Sequence, residues 1–386
     1  MNRTALLAPL AAVALGLTCA ASPAAAAPGS EVRVTSAGAN AVKGSYIVTL
    51  EDGADARGLA RALQVSPRYV YTSALNGFAA TLTDGQVRAL QRNAAVAAIE
   101  EDQVATVDAT QPITTSGLYG LDRIDQRNLP LSGGYTYNTG AGNVYAYVID
   151  TGIATSHSQF GGRASNVYDA LGGNGQDCQG HGTHVAGTIG ASTYGVAKNV
   201  RLRGLRVLGC DGSGSTSGII SAVDWLRRNH TRPAVANMSL GGGYSSALNT
   251  AVTNLANAGV ATAVAAGNEN ANACNVSPAS ASNVVTVAAS DRNDTRASFS
   301  NYGSCVETYA PGVNITSTWL NGGSNTISGT SMASPHVAGV MALYKSANPS
   351  ASSSAVNNWI VSGATTSVVR SNPSGTPNRL LFKSTL

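Results

Sequence analysis

A serine stands at the predicted start of a helix in the stretch GTSMASPHVAGVMALY, residues 329 to 344. Ser331 is either an ordinary helix N-cap or a residue whose hydroxyl does chemistry. The free N–H groups and positive dipole end of the helix would face it, and Pro335 falls early, where a missing N–H costs least. A neutral serine hydroxyl attacks a carbonyl only with a base, an orienting carboxylate and donors for the oxyanion.

Three other polar residues could supply these groups. Asp150 ends the apolar run NVYAYVID, Asn268 ends GVATAVAAGN, and His181 stands between two glycines in DCQGHGTHVAGTIG. Taken alone, Asp150 and Asn268 could be turn residues and His181 a capping or core histidine. Taken with Ser331, they provide the carboxylate, the amide donor and the base that acyl transfer needs.

Metal binding is the alternative for this histidine region. His184 follows His181 by three residues, but no glutamate stands at the spacing of a zinc-protease helix, and we interpret His184 as structural. Zinc held by Cys178, His181 and Cys210 is a second possibility, although it lacks a clear fourth ligand.

The elements around these residues must bring them together. From about residue 109, apolar β-branched runs alternate with helical patterns, which predicts a mostly parallel sheet covered by helices on both faces. Functional groups in such α/β folds gather at the carboxyl ends of the strands. The predicted strands are NVYAYVIDTG, VRLRGLRVLG, PAVANMSLGGG, GVATAVAAGN, NVVTVAAS and CVETYAPG, and the helices are HVAGTIGAS, STSGIISAVDWLRRNH and SALNTAVTNLANAG.

The N-terminal third has a different organisation. Residues 1–27 carry a short positive start, an apolar run and a small-residue end, which predicts a secretory signal peptide; a membrane anchor or a lipoprotein signal at Cys19 is less well supported. Residues 28–42 are interpreted as a linker. Residues 43–107 predict a strand–helix–strand–helix–strand unit, a small α+β domain of ferredoxin-like type.

The composition of the chain limits the classes of partner that it is expected to bind. Charged residues make up 11% of the chain and the formal net charge is +4, without a run of Lys and Arg, so we expect neither nucleic acid nor an anionic membrane as partner. After signal removal an even set of cysteines would remain, which in an exported chain favours two disulfides. Three pairings are possible, and the sequence-local one would close two loops of about 30 residues. These cysteines are Cys178, Cys210, Cys274 and Cys305.

Five blocks spread over residues 109–386 resemble those of the subtilisin-like serine proteases (subtilases), particularly the bacterial proteinase K-like branch. They are VIDTGI, GHGTHVAGTIG, NMSLGGG, AAGN and GTSMASPHVAG. The chain order Asp, His, Ser is also that of subtilisin. The resemblance implies a three-layer subtilisin-like fold and a secreted serine endopeptidase with the triad Asp150, His181 and Ser331, in which Asn268 and the Ser331 N–H bind the oxyanion.

The resemblance also implies a zymogen that cleaves itself. The unit at 43–107 resembles the family's inhibitory propeptide, so we expect a propeptide at 28–108, a catalytic domain at 109–386 and a cut near Asp108–Ala109. A small domain of this kind can template a slowly folding parallel sheet and block the cleft. The expected partners are polypeptide substrates and the chain's own propeptide, and the protein is expected to be a monomer.

Two segments resemble the family's substrate-binding edges: Gly212-Ser213-Gly214 and Ser239-Leu240-Gly241. Main-chain pairing there would give affinity with little side-chain demand. The neighbouring walls, 241–243 and 265–267, are small and uncharged, which predicts a roomy apolar pocket and broad specificity. The alternative is that these glycines only serve tight turns.

Structural calcium is expected from the same resemblance. Glu307, with backbone carbonyls near Ser282 and Val284, matches a family calcium site that usually has Asp. A second set, Asp122, Asp125 and Gln126, places oxygen ligands close together, as a hard cation requires. The alternative for this set is a helix with acidic residues in its first turns.

Two other functions are compatible with the same residues. One is a subtilase-shaped binding protein without turnover, which the presence of all four catalytic groups disfavours. The other is a hydrolase acting on esters, which the two edge segments disfavour because they suit an extended peptide.

Overall fold

The computed structural model describes residues 31–38, 41–106 and 118–386, which form two packed units. The predicted signal peptide and the predicted cut near Asp108 lie outside these residues. Within the described ranges, no helix is both long and apolar enough to cross a membrane.

The first unit is a small sheet covered on one face by two helices. Its strand order is β1-β5-β2-β4-β3, antiparallel except where β1 lies beside β5. Val48, Phe78 and Ile99 form a core with α1 and α2, while Ile47 and Ala79 face the second unit. The elements are β1 Val34–Thr35, β2 Ala41–Leu50, α1 Ala56–Ala62, β3 Tyr69–Thr72, β4 Asn76–Thr81, α2 Asp84–Gln91 and β5 Val96–Thr106.

This unit has two strands that the sequence did not predict. β3 has four residues and forms a hairpin with β4, and β1 has two residues within the predicted linker, paired with Ile99 and Glu100. Both are too short for alternation of apolar and polar residues to be recognised. The linker prediction for residues 28–42 is therefore wrong for Val34–Thr35 and for the start of β2.

The second unit contains the strands and helices predicted after residue 109. Its helices are α3 Tyr119–Asp125, α4 His181–Gly190, α5 Thr216–Asn229, α6 Ser246–Asn257, α7 Thr330–Ala347 and α8 Ser353–Gly363. Its longer strands are β6 Tyr145–Asp150, β7 Ala164–Asp169, β8 Arg201–Arg206, β10 Ala234–Met238, β12 Ala261–Ala265, β14 Val285–Ser290 and β15 Thr308–Pro311, and its shorter ones are β9 Ser213–Ser215, β11 Gly242–Gly243, β13 Val276–Ser277, β16 Ile315–Thr318, β17 Ser324–Ile327, β18 Thr365–Thr366 and β19 Arg379–Leu380.

The main sheet has the order β18-β19-β15-β14-β12-β10-β6-β8-β7, and every pair except β18–β19 is parallel. Along β6, Ala146 and Val148 pack in the cluster that contains α4 and α7, whereas Tyr147 and Ile149 pack in the cluster that contains α5 and α6. The sheet is therefore covered on both faces, and the three-layer prediction is confirmed.

Candidate active site

Asp150 and His181 form a buried hydrogen-bonded pair. Asp150 is the last residue of β6 and His181 the first of α4, and Asp150 Oδ1 lies 2.8 Å from His181 Nδ1. The exposed fractions of the two residues are 0% and 2%. Because a carboxylate can only accept, Nδ1 carries the proton and Nε2 is left as the basic nitrogen of the ring.

Asp177 holds the loop that joins these two residues. Its carboxylate accepts hydrogen bonds from Gly180 N at 2.8 Å and Thr183 N at 2.9 Å, at the start of α4, and from Thr151 Oγ1 at 2.9 Å, directly after Asp150. It caps α4 in place of the N-cap Gly180, which has no side chain to do so. Asp177 was not predicted from the sequence, because it stands four residues before His181 and not at the N-cap position where a capping residue is recognised.

Ser331 lies within the first turn of α7 and is fully buried. The helix N-cap is Gly329, so Ser331 is not an N-cap. Its Oγ donates to Ser239 O at 3.2 Å, and Ser239 Oγ donates to Ser331 O at 2.8 Å. Ser239 directly follows β10, so this exchange holds Ser331 at the carboxyl end of that strand.

Asn268 follows β12 with its amide oriented by Thr330. Asn268 Oδ1 accepts from Thr330 N at 2.9 Å and from Thr330 Oγ1 at 3.0 Å. The opposite end of the amide, Nδ2, is buried without a hydrogen-bond partner among the described residues. A buried donor of this kind is costly unless a ligand or reacting group uses it.

The strand order brings these residues together at the carboxyl ends of neighbouring strands in the middle of the sheet. β10 lies between β6 and β12. Asp150 ends β6, Ser331 is bonded to the residue after β10, and Asn268 follows β12. Ser331 is therefore flanked by the Asp150–His181 pair on one side and by Asn268 on the other.

His184 takes a different role from its neighbour His181. It is fully buried, and its Nε2 lies 3.1 Å from Ile315 O and 3.2 Å from Asn325 O. Burial lowers the pKa of His184 to about 3, so the ring is neutral and donates to these carbonyls. No group of three or more His, Cys, Asp or Glu suited to a metal occurs in the part of the chain that the structure describes.

The four predicted cysteines form two disulfides with the sequence-local pairing. Cys178 pairs with Cys210 and Cys274 with Cys305, at Cα–Cα distances of 5.0 and 5.3 Å. The zinc alternative at Cys178 and Cys210 is therefore excluded.

The first of the predicted substrate-binding segments is paired with a strand of the N-terminal unit. Ser213 and Gly214 belong to β9, which pairs antiparallel with the end of β5, Ala105 opposite Gly214 and Thr106 opposite Ser213. Gly212 makes the turn before this strand with a φ of 79°. A side chain on Gly214 would place its Cβ 2.2 Å from Val207 O, so this position has no room for one.

The second segment lies at the end of β10. Ser239 bonds to Ser331, as described above, and Leu240 is fully buried. A Cβ added to Gly241 would meet Val276 at 3.3 Å. Just beyond this segment, Gly243 O accepts from Gln103 Nε2 at 3.1 Å. Residues of β5 therefore contact the chain at or next to both predicted substrate-binding segments.

Carboxylates of β5 cap two helices of the second unit. Glu100 Oε1 accepts from Ser245 Oγ at 2.5 Å at the start of α6, and Asp102 Oδ1 accepts from Ser217 N at 2.8 Å at the start of α5. Burial raises the pKa of Glu100, while the bonds from Ser245 and its neighbours oppose this. A contact in the opposite direction joins the same two units: Asp224 of α5 accepts from the N–H of Ala74, a residue of the first unit, at 2.6 Å.

The predicted calcium residues fall in two different environments. Glu307 Oε2 accepts from Thr286 N at 2.6 Å, and burial raises the Glu307 pKa to about 7. Burial destabilises the charged form of this carboxyl group, and a bound cation would stabilise it. The residue is therefore suited to bind a cation, and the carbonyls of Ser282 and Val284 are the predicted further ligands.

The residues of the second predicted calcium set accept hydrogen bonds from the protein. Asp122 accepts from Ser132 N at 3.1 Å and Gly133 N at 2.7 Å, and Gln126 Oε1 also accepts from Ser132 N. Asp125 Oδ1 lies 2.8 Å from the ammonium of Lys383. Carboxylate and amide oxygens are ligands that calcium prefers, and the second calcium site stays a prediction.

Comparisons with known proteins identify the family. A model described as the subtilase family matches residues 142–380, and one described as peptidase inhibitor I9 matches residues 45–108. The chain belongs to the subtilase family. It is an extracellular subtilisin-like serine proteinase whose N-terminal unit is an I9 propeptide inhibitor domain.

Individual relatives show how far the similarity extends. An extracellular serine proteinase of Thermus sp. (strain Rt41A) is 49% identical over 81% of this chain and 77% of its own length. Alkaline serine exoprotease A of Vibrio alginolyticus is 51% identical over 82% of this chain, but the match spans only 60% of that protein. The crystal structure of a cold adapted subtilisin-like serine proteinase has a TM-score of 0.68 and 53% identity, covering 70% of this chain and 99% of that one.

Proposed function

We propose that this subtilase is an endopeptidase with Asp150, His181 and Ser331 as its triad and with Asn268 and the Ser331 N–H as oxyanion donors. The observation that carries the proposal is the buried 2.8 Å contact between Asp150 and His181 at the sheet edge that also anchors Ser331. The buried Nδ2 of Asn268 supports the fourth role.

The reaction follows from these positions. His181 Nε2 takes the proton of the Ser331 hydroxyl as its Oγ attacks the peptide carbonyl, and Asp150 stabilises the resulting imidazolium. Asn268 Nδ2 and the Ser331 N–H donate to the carbonyl oxygen as it becomes negative. His181 then protonates the leaving amine, the C–N bond breaks, and water repeats the sequence on the acyl-enzyme.

Broad specificity is supported by the way β5 binds. It uses main-chain pairing with Gly214 and Ser213, which any extended polypeptide could reproduce. The pocket for the residue before the cut would be formed by 241–243 and 265–267, whose side chains are small and uncharged. A small apolar wall favours apolar residues at that position.

We further propose that residues 28–108 are an inhibitory propeptide and 109–386 the catalytic domain, after a signal peptide at 1–27. The match of the inhibitor family ends at residue 108, and β5 occupies the strand position that a substrate would need. The chain would cut itself near Asp108–Ala109 and act as a monomer on polypeptides. Calcium at Glu307 would be structural, because the proposed chemistry is carried by side chains and backbone donors.

The test is expression of the full chain beside Ser331→Ala. The wild type should release a fragment ending near residue 108, digest casein and lose activity with a sulfonyl fluoride. Ser331→Ala should accumulate uncut, since removing the serine costs about 10⁶ in turnover, a figure measured on subtilisin itself, a relative of this chain.

Ser346→Ala is the matched control. It removes a serine from the last turn of the same helix, where its hydroxyl bonds to residues 139 and 143. This control should mature and digest casein normally. Normal maturation of Ser331→Ala in a protease-free host would refute self-cleavage, and a wild type without activity would support a binding protein instead.

A further inference from the structure

We infer that Asn301 is a positioning residue for catalysis, because it fixes the backbone on both sides of Asn268. The inference rests on the oxyanion role proposed above for Asn268. Asn301 itself touches neither substrate nor the reacting atoms in this proposal, and its effect is exerted through the segment 266–271.

One residue, through its side chain and its backbone N–H, holds this segment before and after Asn268. Asn301 Nδ2 donates to Ala266 O at 2.9 Å, and the Asn301 N–H donates to Gly267 O at 2.9 Å. On the far side, Asn301 Oδ1 accepts from Glu269 N at 3.1 Å and from Ala271 N at 2.8 Å. Asn268 is therefore bracketed by four hydrogen bonds to a single residue.

The segment needs such support because it lies beyond the end of β12 and is not part of a strand of the sheet. β12 ends at Ala265, and the chain then turns through Gly267 with a φ of 100° and Asn270 with a φ of 52°. A Cβ on Gly267 would lie 2.3 Å from Asn301 Nδ2, so the two residues are closely packed. Backbone in the left-handed region persists only where its surroundings hold it.

An amide is the side chain that this position requires. Asn301 is fully buried, and its second N–H donates to Glu269 Oε2 at 2.8 Å, so both donors and both acceptor sites are used. Aspartate would place an oxygen against Ala266 O and the Glu269 carboxylate, and alanine would leave the buried groups unpaired.

Asn301 and Thr330 act on different parts of the oxyanion donor. Thr330 holds the Asn268 amide oxygen from α7, whereas Asn301 holds the main chain that carries the side chain. A donor must lie within about 2.7–3.1 Å of the developing oxyanion, so a shift of the backbone by a few tenths of an ångström weakens it in the transition state.

Other contacts join the same two loops farther from Asn268. Tyr302 N donates to Ala271 O at 3.0 Å, and the disulfide Cys274–Cys305 links the loops beyond that point. These contacts remain when Asn301 is replaced, so an Asn301 variant should keep the loops together and lose only the local constraint on Asn268.

The experiment compares Asn301→Ala and Asn301→Ser with the wild type, each expressed as the full chain and processed. Active enzyme is counted by titration with a fluorophosphonate, and kcat and KM are measured on a peptide anilide well below the unfolding temperature. We expect kcat to fall about 10- to 100-fold, a part of the 10²–10³ expected for losing the donor itself, with KM within about threefold.

Asn357→Ala is the matched control. Asn357 lies on α8, is also buried, and donates to Asn283 O, away from the site. Its loss should lower the melting temperature while kcat stays unchanged. An Asn301→Ala variant that behaves in the same way would overturn the inference, and Asn301→Ser provides the same comparison if the alanine variant does not fold.

Two further measurements separate positioning from general damage. When a peptide aldehyde binds, His181 Nε2 takes the Ser331 hydroxyl proton, Ser331 Oγ bonds to the carbonyl carbon, and the carbonyl π pair moves to the oxygen that Asn268 would bind. The matching peptide amide binds without this step. Asn301→Ala should lose affinity about tenfold or more for the aldehyde and less than about threefold for the amide. Equal losses would contradict positioning of the oxyanion donor.

The double variant Asn268→Ala/Asn301→Ala decides whether the effect passes through Asn268. If it does, adding Asn301→Ala to Asn268→Ala should change kcat by less than about threefold. Full additivity would refute the inference and leave the oxyanion role of Asn268 intact. If Asn268→Ala alone leaves kcat unchanged, the proposed oxyanion role fails instead.

Discussion

At the scale of single residues, Asp150 sets the tautomer of His181. In Asp150→Asn, the amide donates to Nδ1, so the proton moves to Nε2 and the ring can no longer act as a base towards Ser331. We expect kcat to fall about 10⁴-fold with little change in KM, which steady-state kinetics on a peptide anilide would measure.

Asp169→Asn is a suitable control for that substitution. Asp169 also ends a strand, β7, and pairs with Arg206 at 3.5 Å, away from His181. It should retain kcat. A similar loss of kcat in both variants would mean that the first acts through folding and not through the tautomer.

Glu307 gives a second prediction at this scale. The pKa of Glu307 is about 7 in the folded protein, above its ordinary value of 4.5. Between pH 4.5 and pH 7 the folded protein therefore keeps a proton on Glu307 that the unfolded chain has lost. The contribution of Glu307 to stability is thus present below pH 4.5 and is lost as pH rises to 7. In chelator, Glu307→Gln should be more stable than wild type at pH 8, by about 2 kcal/mol, and equal to it at pH 4.

Calcium should reverse that difference. A bound cation favours the carboxylate, so wild type should gain melting temperature with calcium at pH 8, and Glu307→Gln should gain less. Thermal unfolding in calcium and in chelator at both pH values measures this. An equal response of the two proteins would place any calcium elsewhere.

Residue types at strand ends made the four catalytic candidates predictable, but not the residues that hold them. Asp150 and Asn268 follow apolar runs, and His181 and Ser331 begin helical patterns, so each is marked locally. Asn301 and Thr330 act across the fold through partners more than 30 and 60 positions away, and the spacing of residues along the chain gives no sign of such contacts.

At the scale of elements, β5 binds the second unit by capping its helices. Asp102 accepts from Ser217 N at the start of α5, and Asp102→Ala removes this cap. α5 keeps its own N-cap, Ser215, and loss of the additional capping carboxylate costs about 1 kcal/mol, so we expect the propeptide to bind about fivefold to tenfold more weakly. The lag before casein digestion begins in the processed full chain should shorten accordingly.

Asp84→Ala is the control for the capping prediction. Asp84 is exposed in the first turn of α2, which packs on the face of the first sheet opposite the second unit. The lag of this variant should equal that of wild type. Equal shortening in both variants would mean that general destabilisation of the propeptide, and not the cap, controls its release.

Long periodic elements were predictable, and short ones were not. α5 has apolar residues at 219, 220, 223 and 226, on one helical face, and its N-cap Ser215 accepts from Gly218 N. β9 has three residues, and it exists as a strand because β5 pairs with it. Its sequence, Ser-Gly-Ser, has no strand propensity of its own, so only the tertiary partner defines it.

At the scale of the whole molecule, the two disulfides join different parts of the active site. Cys178–Cys210 links the loop before α4 to the loop before β9, and Cys274–Cys305 links the loops that carry Asn268 and Asn301. Their sequence separations of 32 and 31 residues imply similar stabilisation, about 3 to 4 kcal/mol each in the chain-entropy estimate.

Removing each disulfide should therefore affect stability equally but activity differently. Cys178→Ser/Cys210→Ser and Cys274→Ser/Cys305→Ser should lower the melting temperature by similar amounts. Only the second pair releases the loops around Asn268, so only it should also weaken binding of a peptide aldehyde relative to the amide. Because each double variant serves as the control for the other, an aldehyde affinity that is unchanged in Cys274→Ser/Cys305→Ser, or that falls equally in both variants, would contradict this prediction.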